Sequence, residues 1–418
     1  MLLKYQLVLT VCSMLLMGVG KDASCRASQS RKVLIIGIDG CRSDALQQAS
    51  TPYLDSLIST SLYTYDSWHC GITISGPSWS SIMTGTWWNK HGVKANSYAN
   101  SSFNSYPYFT KRAKEIKPNL RCVQISEWEA LNNFVYNDGM DAKIQTANGG
   151  DSTTAEALRQ LADTNLDCLF AYYEAVDREG HSSTFNPGNA QYLTAIEYAD
   201  AQVGILLNAL KMRSNYASED WLILVVTDHG GTGFVHGGNS WAERHIWFIA
   251  SGNSVTPQQI SASDPGTYNF LATGIFNSTG VNKNLMKQSP VHTDVAVTAL
   301  HHLIYDSGIQ PETYTAWKLD GKSWLTNTIN VNSIAANNSF LVFPNPSHDI
   351  FTVKLLNTNS SKQKLFVHDL LGREIMQNNI PSGTSSFTVD LSNFSPGTYF
   401  LKLVNGSKTL VKKIELIE

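Results

Sequence analysis

Residues 32–40 read Lys-Val-Leu-Ile-Ile-Gly-Ile-Asp-Gly, an apolar run that ends abruptly on an aspartate. A run without polar alternation suits a strand buried on both faces, as in a parallel sheet. Later stretches repeat the pattern: Leu120–Ile125, Asp167–Tyr173 (DCLFAYY), Trp221–Thr227 (WLILVVT) and His245–Ala250. Helical stretches fall between them. Thr51-Pro52 opens one, with Thr as N-cap and Pro in the first turn. Gly188–Arg213 and Thr293–Tyr305 hold two more. The expected fold class is α/β, a mostly parallel sheet flanked by helices.

Outward from this core the texture changes at both ends. Lys4 precedes an apolar run, Leu7–Val19, that closes on small residues before Lys21. That is the order of a secretory signal, and the run is short for the roughly 20 residues of a membrane span. Residues 1–20 are therefore expected to be a signal, with no transmembrane segment after it. Residues 21–325 form the α/β domain. Residues 326–339 (TNTINVNSIAANNS) are polar and aperiodic, a linker. Residues 340–418 read as a small β-sandwich, with strands at Phe351–Leu356, Lys364–His368, Ser386–Asp390, Thr398–Val404 and Thr409–Ile414.

Composition narrows the function. The chain has 31 basic and 34 acidic residues and a formal charge of −3. That excludes nucleic-acid binding driven by bulk charge, which needs a basic footprint. Of six cysteines, Cys12 lies in the signal, leaving Cys25, Cys41, Cys70, Cys122 and Cys168 without a CxxC pair. One or two disulfides are expected in an oxidising compartment.

Three aspartates sit just past strand ends: Asp39 after VLIIGI, Asp177 after AYYEAV and Asp228 after LILVVT. In an open α/β sheet the site lies outside the carboxyl ends of the strands. Carboxylates gathered there repel one another unless cations neutralise them. His229 follows Asp228 directly, His181 follows Asp177 by four residues, and His236 comes soon after in Val-His-Gly-Gly. Imidazole with carboxylate is the ligand mix of zinc or a similar metal. A hydroxyl-rich stretch, Thr73-Ile-Ser-Gly-Pro-Ser-Trp-Ser-Ser, then turns helical and places Ser75 at a helix start, where an anion is favoured. Lys90, Arg178 and Arg244 read first as surface charge and second as substrate contacts, and Trp79, Trp87 and Trp88 first as core and second as a stacking surface for a base or sugar.

Taken together, the motifs IIGIDGCRSDAL, TPYLDSLI, SGPSWSSIMTG, HGVKANS, EAVDREGH and VVTDHGG resemble the alkaline phosphatase superfamily. The nearest branch is similar to type I phosphodiesterase and nucleotide pyrophosphatase, over about Lys32–Tyr305. The resemblance implies two divalent metal ions, zinc by preference, and a small-molecule phosphoester substrate. It implies Asp39, Asp228 and His229 as ligands of one metal, which also holds the nucleophile Ser75. It implies Asp177 and His181 on the second metal, completed by His236 or by His292 of Val-His-Thr-Asp. Asn96 matches the asparagine that hydrogen-bonds the phosphoryl oxygen. The expected reaction passes through a phosphoserine.

Alternatives stay open. Ser75-Gly-Pro-Ser also matches the start of the sulfatase signature, but Trp79 stands where that signature has Arg, and Asp39-Gly40 where sulfatases favour paired aspartates. Ligands for the third metal of the monoesterase branch are not identified. A surface binding protein that kept the fold but lost catalysis is the remaining class, and it would be expected to lack Ser75 or an aspartate. The final 79 residues resemble the type IX (Por) sorting domain in Val342-Phe-Pro-Asn-Pro-Ser, Val367-His-Asp-Leu-Leu-Gly and Ser395-Pro-Gly-Thr-Tyr-Phe. That implies the type IX secretion machinery as a partner and a secreted or outer-surface location.

Overall fold

The computed structural model describes residues 29–270, 276–277, 280–325, 340–355, 363–370, 372–405 and 408–417. The expected signal and linker, with Cys12 and Cys25, lie outside the described residues. The central sheet comprises β1 (Ser30–Ile38), β2 (Leu62–Trp68), β3 (Arg121–Ser126), β4 (Ala142–Gln145), β5 (Leu166–Tyr173), β6 (Glu219–Val226), β7 (His245–Ser251) and β8 (Gln258–Gln259). Their spatial order is β4-β3-β5-β1-β6-β7-β2-β8. Strands β4, β3, β5, β1 and β6 run parallel, and β7 runs against both β6 and β2.

β1 lies in the middle because its side chains are apolar on both faces. Val33 and Ile35 enter a core with Trp79, Ile82, Phe109, Phe170 and Leu300. Leu34, Ile36 and Ile38 enter the opposite core with Leu54, Leu161, Val176, Ile196 and Val203. The helices Ser75–Thr84, Phe109–Ile116 and His292–Leu303 cover the first face. Pro52–Ile58, Asp151–Leu161, Ala175–Ser183 and Ala190–Lys211 cover the second.

The structure adds to the sequence expectations and corrects two of them. β2, β4 and β8 were not expected from the pattern. β2 carries Asp66 and a register shift between Thr64 and Ser67, and β4 is three half-buried residues and one exposed, so neither shows a continuous apolar run. Thr51 precedes the Pro52–Ile58 helix but makes no side-chain cap. The buried Asp200 carboxylate, distant in sequence, accepts from Tyr53 N–H (3.2 Å) and Leu54 N–H (2.7 Å) instead. Cys41, Cys70, Cys122 and Cys168 are free, buried thiols. They pack as small apolar side chains rather than as bridges.

The tail is two antiparallel sheets around its own core of Phe351, Val353, Leu365, Val367, Leu401 and Ile414. Phe340–Phe343 and Glu374–Ile380 are strands beyond the expected set. Glu374–Ile380 is mostly polar and half exposed, which hides it in the sequence. No helix among the described residues is long and apolar enough to cross a membrane.

Candidate metal centre

Neighbouring strands β5, β1 and β6 deliver the three aspartates to one edge of the sheet. Asp39 follows β1, Asp228 follows β6, and Asp177 lies in the first turn of the Ala175–Ser183 helix that follows β5. All three are buried. The turn after β1 brings them close because Gly40 has φ +67°, and a Cβ there would lie 2.5 Å from Asp177 Oδ1.

Each carboxylate has one satisfied and one bare oxygen where it faces the centre. Asp228 Oδ1 accepts from Gly40 N–H (3.0 Å) and His229 N–H (2.9 Å), and its Oδ2 has no hydrogen-bond partner among the described residues. Asp39 Oδ2 accepts from the Trp79 indole (2.8 Å) and the Tyr172 hydroxyl (2.7 Å), and its Oδ1 is bare. Asp177 Oδ1 is bare as well. Buried acceptors are ordinarily satisfied, so three such oxygens in one place indicate a missing positive partner.

The histidines present the complementary face. His229 Nε2 lies 3.6 Å from Asp39 Oδ1, 3.2 Å from Asp228 Oδ2 and 3.3 Å from Ser75 Oγ. His236 Nε2 lies 3.7 Å from Asp177 Oδ1, and His181 Nε2 lies 3.4 Å from Asp177 Oδ2. Each ring's Nδ1 sits against a backbone carbonyl: Gly230 O for His229 (2.9 Å), Thr73 O for His236 (2.9 Å) and Phe234 O for His181 (2.8 Å). A carbonyl can only accept, so each Nδ1 donates; this leaves the Nε2 of His229 and of His236 with its lone pair, whereas His181 Nε2–H donates to Asp177 Oδ2. Ligating histidines are held in this way at metal sites. The His229 and His236 rings stack at 3.8 Å.

Charge in the metal-free protein reflects the crowding. Burial first, then the fields of the neighbouring aspartates, push Asp39 and Asp228 well above the usual carboxylate range. Burial acts the same way on Asp177, but the His181 hydrogen bond and the surrounding histidines outweigh it and hold that carboxyl low. The hydrogen bond to Asp177 raises His181 to about 8, and burial lowers His229 to about 3. Two overlapping sets that share His229 bring their ligand atoms close enough to hold an ion, Asp39, Asp228 and His229, and Asp177, His229 and His236; His181 is in neither set. The residues fit divalent cations.

Ser75 is the first residue of its helix and is buried. Gly76 N–H donates to Asn96 Oδ1 (2.8 Å), which fixes the exposed Asn96 amide beside the helix start. His292 is not brought to Asp177. It begins the His292–Leu303 helix, with its ring edge-on to His69 at 4.4 Å. Lys90 pairs with Asp320 and Arg244 with Asp264, and Trp79, Trp87 and Trp88 are buried. The hydrogen bonds of Trp79 and Tyr172 to Asp39 were not expected from the sequence. The one sequence signal for them is Gly37 inside a β-branched run, since a Cβ there would lie 2.5 Å from the Trp79 ring.

Two family patterns cover most of the chain. Residues 33–136 and 126–256 match type I phosphodiesterase / nucleotide pyrophosphatase, and residues 341–417 match the secretion system C-terminal sorting domain. Bis(5'-adenosyl)-triphosphatase ENPP4 of Homo sapiens is 25% identical over 247 residues, covering 54% of this chain and 52% of that protein. An uncharacterized pyrophosphatase/phosphodiesterase of Schizosaccharomyces pombe is 25% identical over 221 residues, covering 47% of this chain and 44% of that protein. The chain thus spans about half the length of the curated relatives it matches. Among solved structures, a 2-O GAG sulfatase superposes with TM-score 0.52 at 12% identity, over 87% of this chain and 86% of that one. Identity that low shows a shared fold alone. The phosphodiesterase pattern spans more than half of the sequence, on an alkaline phosphatase-like sheet with a sorting domain behind it, and the chain belongs to the type I phosphodiesterase / nucleotide pyrophosphatase family.

Proposed function

We propose that the protein is a secreted two-metal phosphodiesterase or nucleotide pyrophosphatase that works through a phosphoserine. The observation that carries the reading is the set of three bare, buried carboxylate oxygens facing histidine Nε2 atoms beside Ser75. Asp39, Asp228 and His229, with Ser75, would hold one divalent cation. Asp177, His181 and His236 would hold the other. Zinc suits this mix of imidazole and carboxylate. When bound, the cations would neutralise the aspartates, acidify the attacking hydroxyl and stabilise charge on the reacting oxygens.

The chain's own residues then divide the work. Ser75 Oγ attacks phosphorus, a P–Oγ bond forms, and the bond to the leaving alcohol or nucleoside phosphate breaks. Water cleaves the phosphoserine in a second in-line step and restores the hydroxyl. Two inversions give net retention at phosphorus. The Asn96 Oδ1 is engaged by Gly76 N–H, so its Nδ2 is the end that donates to a phosphoryl oxygen. Residues 21–325 form the catalytic unit. Residues 340–418 direct export through type IX machinery, with residues 1–20 as the signal. Dinucleoside polyphosphates are the first natural substrates to try, given the activity named for the human relative.

The test is hydrolysis by the zinc-loaded protein of bis-p-nitrophenyl phosphate, p-nitrophenyl phosphate and an aryl sulfate, beside Ser75→Ala. Diester cleavage that is lost in the variant and with chelator is the expected result. Cleavage of the sulfate alone would overturn it.

A further inference from the structure

We infer that Trp79 and Tyr172 are positioning residues that reserve a single oxygen of Asp39 for a cation. The inference rests on the two-cation reading above and concerns how the protein prepares one ligand. Asp39 Oδ2 is saturated by two neutral donors, the Trp79 indole N–H at 2.8 Å and the Tyr172 hydroxyl at 2.7 Å. All three side chains are buried, so water does not compete. Oδ1 is left bare and lies 3.6 Å from His229 Nε2. A free carboxylate could turn and offer both oxygens to an ion. One with Oδ2 pinned from two directions offers Oδ1 alone, at a fixed angle.

Asp228 gives an internal comparison. It reaches the same state with backbone donors, the N–H groups of Gly40 and His229, and likewise leaves one oxygen bare. Asp39 draws its donors from two other elements. Tyr172 comes from β5, and Trp79 from the helix that begins at Ser75. Trp79 is four residues after Ser75, so both occupy one face of that helix. The indole therefore ties the nucleophile's helix to the carboxylate it must work beside. Two ring contacts hold the clamp: Trp79 meets Tyr172 edge-on at 5.4 Å and Phe170 at 5.6 Å. Gly37 on β1 provides the space, since any side chain there would displace the indole.

The test uses the full chain, stripped by chelator and titrated with Zn²⁺ or Co²⁺. The variants are Tyr172→Phe, which removes one oxygen atom and keeps the packing, and Trp79→Phe. Outer-sphere partners of ligands typically govern metal affinity by about 10- to 100-fold. Each variant is therefore expected to weaken one of two zinc equivalents at least about tenfold and leave the other unchanged. The visible absorption of the cobalt form should also shift as Asp39 gains freedom. Melting of the metal-free protein separates this from loss of folding, and Tyr172→Phe should melt close to wild type. Wild type that takes up no zinc would overturn the two-cation reading and this inference with it. Wild type that binds two zinc ions and Asp39→Asn that binds one, with both clamp variants matching wild type in affinity and spectrum, would overturn this inference alone.

Discussion

At the scale of single residues, the sequence left two histidines competing for one role, and the proposal gives it to His236. His236 Nε2 faces Asp177 while its Nδ1 donates to Thr73 O. His292 packs against His69 and Trp87 in the interior. His236→Gln is therefore expected to lose one zinc equivalent and His292→Gln to keep both, as measured by metal content after dialysis. Equal loss in the two variants would contradict the assignment. Activity should follow a different ranking. Ser75→Ala removes the proposed nucleophile and should cost about 10³-fold or more in kcat. Asn96→Ala removes the proposed donor to the phosphoryl oxygens and should cost about 10²- to 10³-fold, chiefly in kcat. Asp39 and Asp228 were legible because each follows closely on an apolar run, and Asp177 because it comes four residues after one and four before His181. Trp79 and Tyr172 were not, because nothing local marks an indole or a phenol as a partner of a carboxylate on another strand.

At the scale of elements, legibility followed burial. β1, β5 and β6 are central, covered on both faces, and stand out as apolar runs. β4 and β8 lie at the sheet's ends and β2 beside one of them, with mixed or exposed patterns, so the same rule passes over them. The Pro52–Ile58 helix shows a second limit, since its cap is a carboxylate from a different helix. The turn after β1 is where element and site meet. Gly40 holds a left-handed φ, donates its N–H to Asp228 and leaves no room for a Cβ against Asp177. Gly40→Ala should therefore strain the backbone and push two ligands apart together. The expected outcome is loss of activity by about 10²-fold or more with both zinc equivalents weakened, because a displacement of about 1 Å at reacting groups is costly on that scale. A normal zinc titration in Gly40→Ala would show that the turn tolerates the methyl and that the close approach is incidental.

At the scale of the molecule, two cores share one sheet, and several histidines are sealed into the packing away from the site. His91 is buried, accepts Val93 N–H at its Nδ1 (3.2 Å) and meets Ser81 Oγ at Nε2 (3.0 Å). His302 is buried, with Nε2 against Asp220 O (2.8 Å) and Nδ1 against the Arg31 guanidinium (3.3 Å). A proton added at either Nδ1 would have to break a hydrogen bond or face a cation. Burial accordingly lowers His91 to about 3, and burial with the Arg31 charge lowers His302 to about 4. In the unfolded chain both would titrate near the usual value of about 6.5. As pH falls below that value, the unfolded chain takes up protons that the folded protein refuses, so stability declines until the folded pKa is reached. Each histidine should cost about 2 kcal/mol between pH 7 and pH 5. Urea unfolding of chelator-treated protein at these two values measures the total, to which the site's own groups also contribute. The comparison that isolates these rings is with His91→Gln and His302→Gln, in which the carboxylate contributions cancel. Each variant should lose less stability than wild type over the same interval, by about 2 kcal/mol. A drop in either variant as steep as in wild type would mean that its ring is protonated, or reaches water, within the folded protein.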